Sequence, residues 1–283
     1  MIPRLWRSWV TWCGREEDLR PQTWVRILVP LTILLDQANV LRLGLLPWFV
    51  VPWSAGGLSS SQDPMYVMGH VMPAEVAGYV TWTLMIVSLL LVLFGIANRP
   101  ACLIAVLSYA QLGHLHPGGD RAIDRILRMV LLIWMFSDAG SGRPTARMGK
   151  AWPADFIRFL LVIIYLAAGI GKVAKQPGWL TMVEPPVLYR VVTDPMAAHM
   201  DAVALEPWFP VLHFFGLCTI ALELSAPLLL TRFAPWWALC GAGMHIGIFL
   251  TMDLGMFSWG MLALYPLLFA PWIVGRRHAD GAR

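Results

Sequence analysis

A lysine closes the apolar run YLAAGIGK at residues 165–172, and a second lysine, Lys175, follows one turn later. On a helix Tyr165, Ala168, Gly169 and Lys172 share one face, because positions three, four and seven apart stack over one another. The small residues let that face pack closely or admit a flat ligand, so Tyr165 and Gly169 read as ligand-binding positions beside the lysine. An amine at such a helix end has two readings. It is an interfacial anchor that snorkels to lipid phosphate, or, desolvated by the chain that follows, a base that takes a proton from a substrate.

Ionisable residues within apolar runs are costly and mark sites by default. Glu223 stands in TIALELSAPLLL, with Pro227 one turn later to loosen the helix and free a carbonyl. His245 stands in GAGMHIGIFLTMD, after small residues that permit close helix approach. The two lie on consecutive apolar runs at similar depth, which makes a Glu223–His245 pair geometrically possible; the readings are a buried structural hydrogen bond for each alone, or a site formed by both. The stretch HLHPGGDRAIDRILRM holds His114, His116, Asp120, Asp124, Arg125 and Arg128. Asp120, Asp124 and Arg128 step by four, so they line one face, with Asp120 as the expected N-cap after a Gly-Gly turn. That face is either a capped, ion-paired helix start or the wall of an outer cavity with His116 or Asp120 as proton carrier. His114 and His116 have no third ligand in sequence, so no metal site is expected. Asp36 interrupts LVPLTILLDQANVLRLG; it and Arg42, six residues on, fall on different faces, so Asp36 is expected to pair with another helix.

The elements that must position these groups are those of a membrane protein. The 283 residues are 58% hydrophobic and 13% charged, with a mean hydropathy of +0.64, where soluble domains carry about a quarter charged residues. Among the 15 tryptophans, Trp24, Trp48, Trp53, Trp208, Trp236, Trp237 and Trp272 sit where apolar runs begin or end, as an interfacial belt would. A net charge of +4 without a basic stripe of interleaved aromatics excludes nucleic acid as the expected partner; the lipid bilayer is the expected one. Cys13, Cys102, Cys218 and Cys240 show no ligand spacing and read as small buried hydrophobes.

Spans are predicted at Trp24–Leu45, Val76–Ala97, Ala101–Leu115, Ile123–Ser137, Phe156–Gly171, Phe209–Leu230, Trp236–Met252 and Met256–Ile273. The expected fold class is therefore all-α, a polytopic membrane bundle of eight helices. Arg4, Arg7, Arg15, Arg20, Arg99, Arg143, Arg147, Lys150, Arg232, Arg276 and Arg277 then collect on one side. Only Arg121, Lys172, Lys175 and Arg190 fall on the other, with Arg42 near its edge. The positive-inside rule makes the first side cytoplasmic and puts both termini there. The expected organisation is a cytoplasmic segment 1–22, too charged and tryptophan-rich for a signal peptide and able to lie on the membrane as an amphipathic helix, a transmembrane domain 23–274, and a cytoplasmic tail 275–283. Two long outer segments are expected, 46–75 as loop and 173–207 lying flat or dipping back as a partial lid.

The segments FIRFLLVIIYLAAGIGKVAKQPGWL, GGDRAIDRILRMVLLIWMFSD, LELSAPLLL and GMHIGIFLTMDLGMFSWGMLALYPLLF resemble bacterial HTTM (horizontally transferred transmembrane) proteins, whose membrane domain is shared with vitamin K-dependent gamma-glutamyl carboxylases. RILVPLTILLDQANVLRLG is similar to the first helix of that family, and the resemblance covers about Trp24 to Pro271. In the carboxylases the lysine ending the YxxAGxxK helix is regarded as the base that deprotonates reduced vitamin K, after which oxygen makes a stronger base that takes a glutamate γ-proton. The matching residue here is Lys172. The resemblance implies a reduced quinone, of menaquinone type in a bacterial inner membrane, and a peptide partner, since some relatives act in maturation of a secreted toxin peptide. Two departures qualify it. The large lumenal region that grips the carboxylase substrate has no counterpart before Arg283, and the second functional histidine of that family has no secure match, with Gly118-Gly119-Asp120 in the comparable place. A related quinol-using reaction, or one in which a partner delivers the peptide, is the expectation. Two further readings stand beside it: a non-catalytic bundle assisting export or maturation of a secreted partner, and a DoxX-type quinone-linked redox protein, against which eight spans argue.

Overall fold

The computed structural model describes residues 2–60, 63–140, 148–181, 183–197 and 200–274. The expected tail 275–283, with Arg276 and Arg277, and the cations Arg143 and Arg147 lie outside them. The chain divides into two compact units, Met1–Ala154 and Asp155–Arg283. Helices dominate both, because a backbone in hydrocarbon must satisfy its own N–H and C=O groups. Four helical stretches are long and apolar enough to cross a membrane, Arg20–Arg42, Glu75–Phe94, Trp152–Lys175 and Ala202–Leu224, and they mark the chain as a membrane protein.

The first unit starts with α1 (Ile2–Gly14), whose Trp6 and Trp9 face outward, and strand β1 (Glu16–Asp18). Then come α2 (Arg20–Arg42), α3 (Leu46–Val50), α4 (Met68–Val71), α5 (Ala74–Phe94), α6 (Asn98–Leu115), α7 (Ala122–Trp134) and strand β2 (Met148–Lys150). Helix α5 packs against both α2 and α6, and α7 against α6 and α2, around apolar residues such as Val29, Ile33, Leu89, Ala105 and Leu131. The α5–α6 connection is tight, with Gly95 at φ 70° and Ala97 at φ 46°; the glycine takes the left-handed conformation without strain. The expected break between the third and fourth spans is there, a 3-10 turn at Pro117–Gly119. Residues 46–75, expected as loop, carry the two short helices α3 and α4.

The all-α expectation missed one feature. Strands β1 and β2 pair antiparallel, Glu17 opposite Gly149. Three residues of ladder carry too little hydrophobic alternation to be read from sequence. Gln22, fully buried at the start of α2, fastens the ladder, donating to Glu17 Oε1 (3.0 Å) and to the Lys150 carbonyl (2.9 Å) and accepting from Ser137 Oγ (2.6 Å).

The division falls within α8 (Trp152–Lys175). The second unit continues with α9 (Val187–Val192), α10 (Ala202–Leu205), α11 (Phe209–Leu224), α12 (Ala234–Thr251), α13 (Phe257–Leu262) and α14 (Ala270–Val274). Helix α11 packs on α9 and α12, and α12 on α13 and α14. Two expected spans are not continuous α-helix. Phe209–Leu230 becomes 3-10 after Leu224, and Met256–Ile273 is α13, a 3-10 turn at Tyr265–Leu267 and α14. Pro227, Pro266 and Pro271 remove the donors those helices need. Phe159, Ile163 and Ile170 on α8 and Phe214 and Phe215 on α11 face outward, as lipid-facing side chains do. Of the seven belt tryptophans six are exposed, while Trp237 is buried. Of the four cysteines, only Cys102 is buried; Cys218 and Cys240 are exposed, contrary to their expected burial.

Candidate functional site

Helix α8 carries the site. Tyr165, Ala168, Gly169 and Lys172 follow one another along one face, and the first and last of them meet different partners. Lys172 Nζ donates to both oxygens of Glu223, at 2.6 and 2.8 Å. The Glu223 side chain is 6% exposed and that of Lys172 25% exposed, so the carboxylate is enclosed while the amine keeps an open side. Gly169 permits the approach. A Cβ there would come within 3.0 Å of Glu223 Cβ and of Leu224 Cδ2, so any larger residue would push α11 away from the lysine.

The chain after α8 folds back over this pair. Trp179 is buried, its ring lies 5.6 Å from Lys172 Nζ, and its indole N–H donates to Gln176 Oε1 at 2.9 Å. A cation over an indole face is an attractive placement. The same ring lies against Gly216 of α11, where a Cβ would sit 3.6 Å from it. Gly216 is midway between Phe209 and Glu223, a distance of about 21 Å along the helix at 1.5 Å per residue. Residues 177–179 and Val187–Val192 therefore pack back along α11, as the dipping arrangement expected for this part of the chain would have them.

One face lower, Tyr165 is the hub of a buried polar set. Its hydroxyl lies 2.6 Å from His245 Nε2 and 2.8 Å from the Tyr265 hydroxyl. His245 is 1% exposed, and its Nδ1 has no hydrogen-bond partner among the described residues. Trp237 stands edge-on to Tyr165, ring centroids 4.8 Å apart, and its Nε1 donates to the Leu222 carbonyl and to Ser225 Oγ, on either side of Glu223. One side chain thus links the tyrosine hub to the turn that carries the carboxylate. Gly241 completes the set, since a Cβ there would meet the Tyr265 hydroxyl at 2.5 Å.

The Glu223–His245 pair is not formed: Glu223 takes Lys172 and His245 takes Tyr165. Trp179, Trp237, Gly241 and Tyr265 were not read as site residues. Gly241 has a visible signal in its small-residue stretch before His245; the others look like belt or core aromatics.

Asp120 and His116 belong to the first unit. His116 Nδ1 lies 3.0 Å from the Leu58 carbonyl, and its ring stacks on Phe49 at 4.8 Å. Asp120 is not the N-cap of α7. That place is held by Arg121, whose backbone N–H is accepted by Asp124 at 2.8 Å. Asp120 instead takes Arg128 (2.7 Å) and Arg125 (2.9 Å). Burial alone would raise its pKa, but hydrogen bonds from Arg128 and Arg125 outweigh it and hold the carboxyl below its usual value. Ionised and doubly paired, Asp120 has the environment of a counter-ion. Asp36 pairs with another helix as expected, accepting from Arg121 at 2.6 and 3.2 Å, while Arg121 also binds Asp124. Burial opposes the Arg121 charge, and the two aspartates more than restore it, raising its pKa. Asp124, expected to share a face with Arg128, bonds Arg121 and the Tyr109 hydroxyl instead.

Among the described residues no group of three or more His, Cys, Asp or Glu is placed to hold a metal ion. Comparison of the chain with family models, with curated proteins and with solved structures finds no match to any of them.

Proposed function

We propose that the chain is an HTTM-type integral protein of a bacterial cytoplasmic membrane, with eight spans and both termini inside. In this reading it is an enzyme that uses a reduced quinone of the menaquinone class at its outer face. Two sets of contacts support the topology. Strand pairing joins residues 16–18 to 148–150, both assigned inside. Ser60 N donates to the Leu115 carbonyl and His114 lies 3.3 Å from Asp63, joining two loops assigned outside.

The observation that carries the functional reading is the Lys172–Glu223 pair under Trp179. An amine held against an enclosed carboxylate, with one side open, is a base with its own proton acceptor. Lys172 Nζ would pass its proton to Glu223, which would hold it, and the neutral amine could then accept a proton from an acidic hydroxyl on its open side. A flat aromatic headgroup would be held by the indole face of Trp179 and by Lys172. The quinol, when bound, supplies the reducing chemistry; the protein supplies the base, the cover and the close approach at Gly169. The substrate in this reading is a secreted peptide or small molecule presented by a partner.

The test is binding of a menaquinone-type quinone to the purified chain, wild type against Lys172→Ala and Glu223→Gln. Saturable binding that falls at least tenfold in a folded Lys172→Ala supports the reading. Absence of binding by folded wild type refutes it and favours a non-catalytic bundle that assists a secreted partner, for which the closed Lys172–Glu223 pair would be a structural tie.

A further inference from the structure

A second polar locus lies at the other end of the first unit, where α2 and α6 begin and α7 ends. Arg26 is one and a half turns into α2, about 9 Å from its first residue. It is half-buried, its Nε is buried without a hydrogen-bond partner, and no carboxylate is paired with it among the described residues. Gln22, one turn before it, accepts from Ser137 Oγ at 2.6 Å, which sets the start of α2 beside the end of α7, and Cys102 on α6 is wholly buried. Asn98, one turn before Cys102, is the first residue of α6 and 4% exposed, yet both its Nδ2 and its Oδ1 lack partners. Helices α6 and α7 pack as neighbours across the short turn 116–121, which brings Trp134, the last residue of α7, level with Cys102. Trp134 is 1% exposed and its Nε1 has no partner either.

Three buried donors within about one turn of the same depth, one of them a permanent cation, are an unusual set to leave unsatisfied. A guanidinium within an apolar span is costly unless an anion or water meets it. Arg121 and Arg128 show the contrast, since each meets an aspartate. The free backbone N–H groups of the first turn of α6 add positive potential at the same place. Among the described residues no carboxylate pairs with Arg26 to neutralise it.

We propose that this locus binds an oxyanion of the phosphate class, held by the Arg26 guanidinium, the Asn98 amide and the Trp134 indole N–H. On the topology above it faces the cytoplasmic leaflet, where a phospholipid headgroup or a free phosphate supplies the same chemistry. The site is independent of Lys172 and of any quinone.

The experiment uses the full chain in neutral detergent. Thermal unfolding is followed against dioleoyl phosphatidylglycerol, dioleoylglycerol, which has the same tails without phosphate, and inorganic phosphate. Saturable stabilisation by phosphatidylglycerol but not by dioleoylglycerol is expected. Its apparent Kd should weaken at least tenfold in Arg26→Gln and about fivefold in Trp134→Phe. Stabilisation by phosphatidylglycerol alone assigns the lipid as source; equal stabilisation by inorganic phosphate, with the same variant dependence, assigns the free anion. Should Arg26→Gln not fold, Trp134→Phe and Asn98→Ala carry the test. The proposal is overturned if wild type responds equally to both lipids and not at all to phosphate, or if the folded variants bind as wild type does.

Discussion

Separating Lys172 from Glu223 should have unequal consequences depending on which partner is removed. Lys172→Met leaves a carboxylate 6% exposed with neither of its two hydrogen bonds from the ammonium. An enclosed charge stripped of its partner costs about 3–5 kcal/mol. Glu223→Leu leaves an ammonium that is 25% exposed and still has the Trp179 ring at 5.6 Å. That residual attraction is worth about 0.5–1 kcal/mol, and the long side chain can turn toward water, so the loss should be about 1–2 kcal/mol. The double variant replaces the pair by apolar groups of similar volume and should fall within about 1 kcal/mol of wild type. The assay is reversible unfolding in mixed micelles, read by tryptophan fluorescence, for all four proteins. A coupling energy of about 3–7 kcal/mol is expected from the cycle. If the double variant is as unstable as the two single changes added together, the pair is not the closed interaction described, and the acid–base reasoning built on it fails.

Other expectations follow from single contacts. Tyr165→Phe strips His245 Nε2 of its hydroxyl partner while Nδ1 already has none, so it should cost about 2 kcal/mol; Tyr265→Phe, which spares the Tyr165–His245 bond, should cost less in the same unfolding assay. Gly241→Ala places a Cβ at 2.5 Å from the Tyr265 hydroxyl and should lose about 1–3 kcal/mol, whereas Gly247→Ala on the same helix meets nothing within 4 Å and should be neutral or stabilising. Trp179→Ala should speed acylation of Lys172 by an amine-reactive reagent, measured by peptide mass spectrometry; an unchanged rate would mean that the ring does not cover the amine. Asp120 has a lowered pKa, so its ionised form favours the folded state above the ordinary carboxylate range. Wild type should therefore be more stable than Asp120→Asn at pH 7, and that advantage should vanish as pH falls below about 4 and through the lowered value. Parallel stability curves for the two proteins would contradict this.

The readings that succeeded were those that depend only on helical period. The shared face of Tyr165, Gly169 and Lys172, the need for small residues there, the break at residues 117–119 and the cross-helix partner of Asp36 all follow from spacing along one element. Cap assignment failed where competition between neighbours decides it: Asp124 accepts from both the backbone N–H and the guanidinium of Arg121, which leaves Asp120 to two arginines. Continuity of the last span failed because two prolines five residues apart outweigh its hydropathy.

The Glu223–His245 pairing failed for a different reason, and it is the more instructive one. Pairing partners on different helices requires depth as well as face, and depth was counted from the ends of apolar runs as though all began at one level. The fold-back of residues 177–179 and Val187–Val192 along α11 breaks that assumption. Glu223, about 21 Å along α11 from Phe209, meets a lysine only three residues from the end of α8. His245 meets Tyr165, two turns or about 10 Å further down α8. A shift of half a span between α8 and α11 converts a geometrically possible Glu–His pair into a Lys–Glu pair above a Tyr–His–Tyr set. The residue types were all visible in sequence. Which of them touch was decided by a segment of prolines and short helices whose own hydrophobic pattern is too brief to place it.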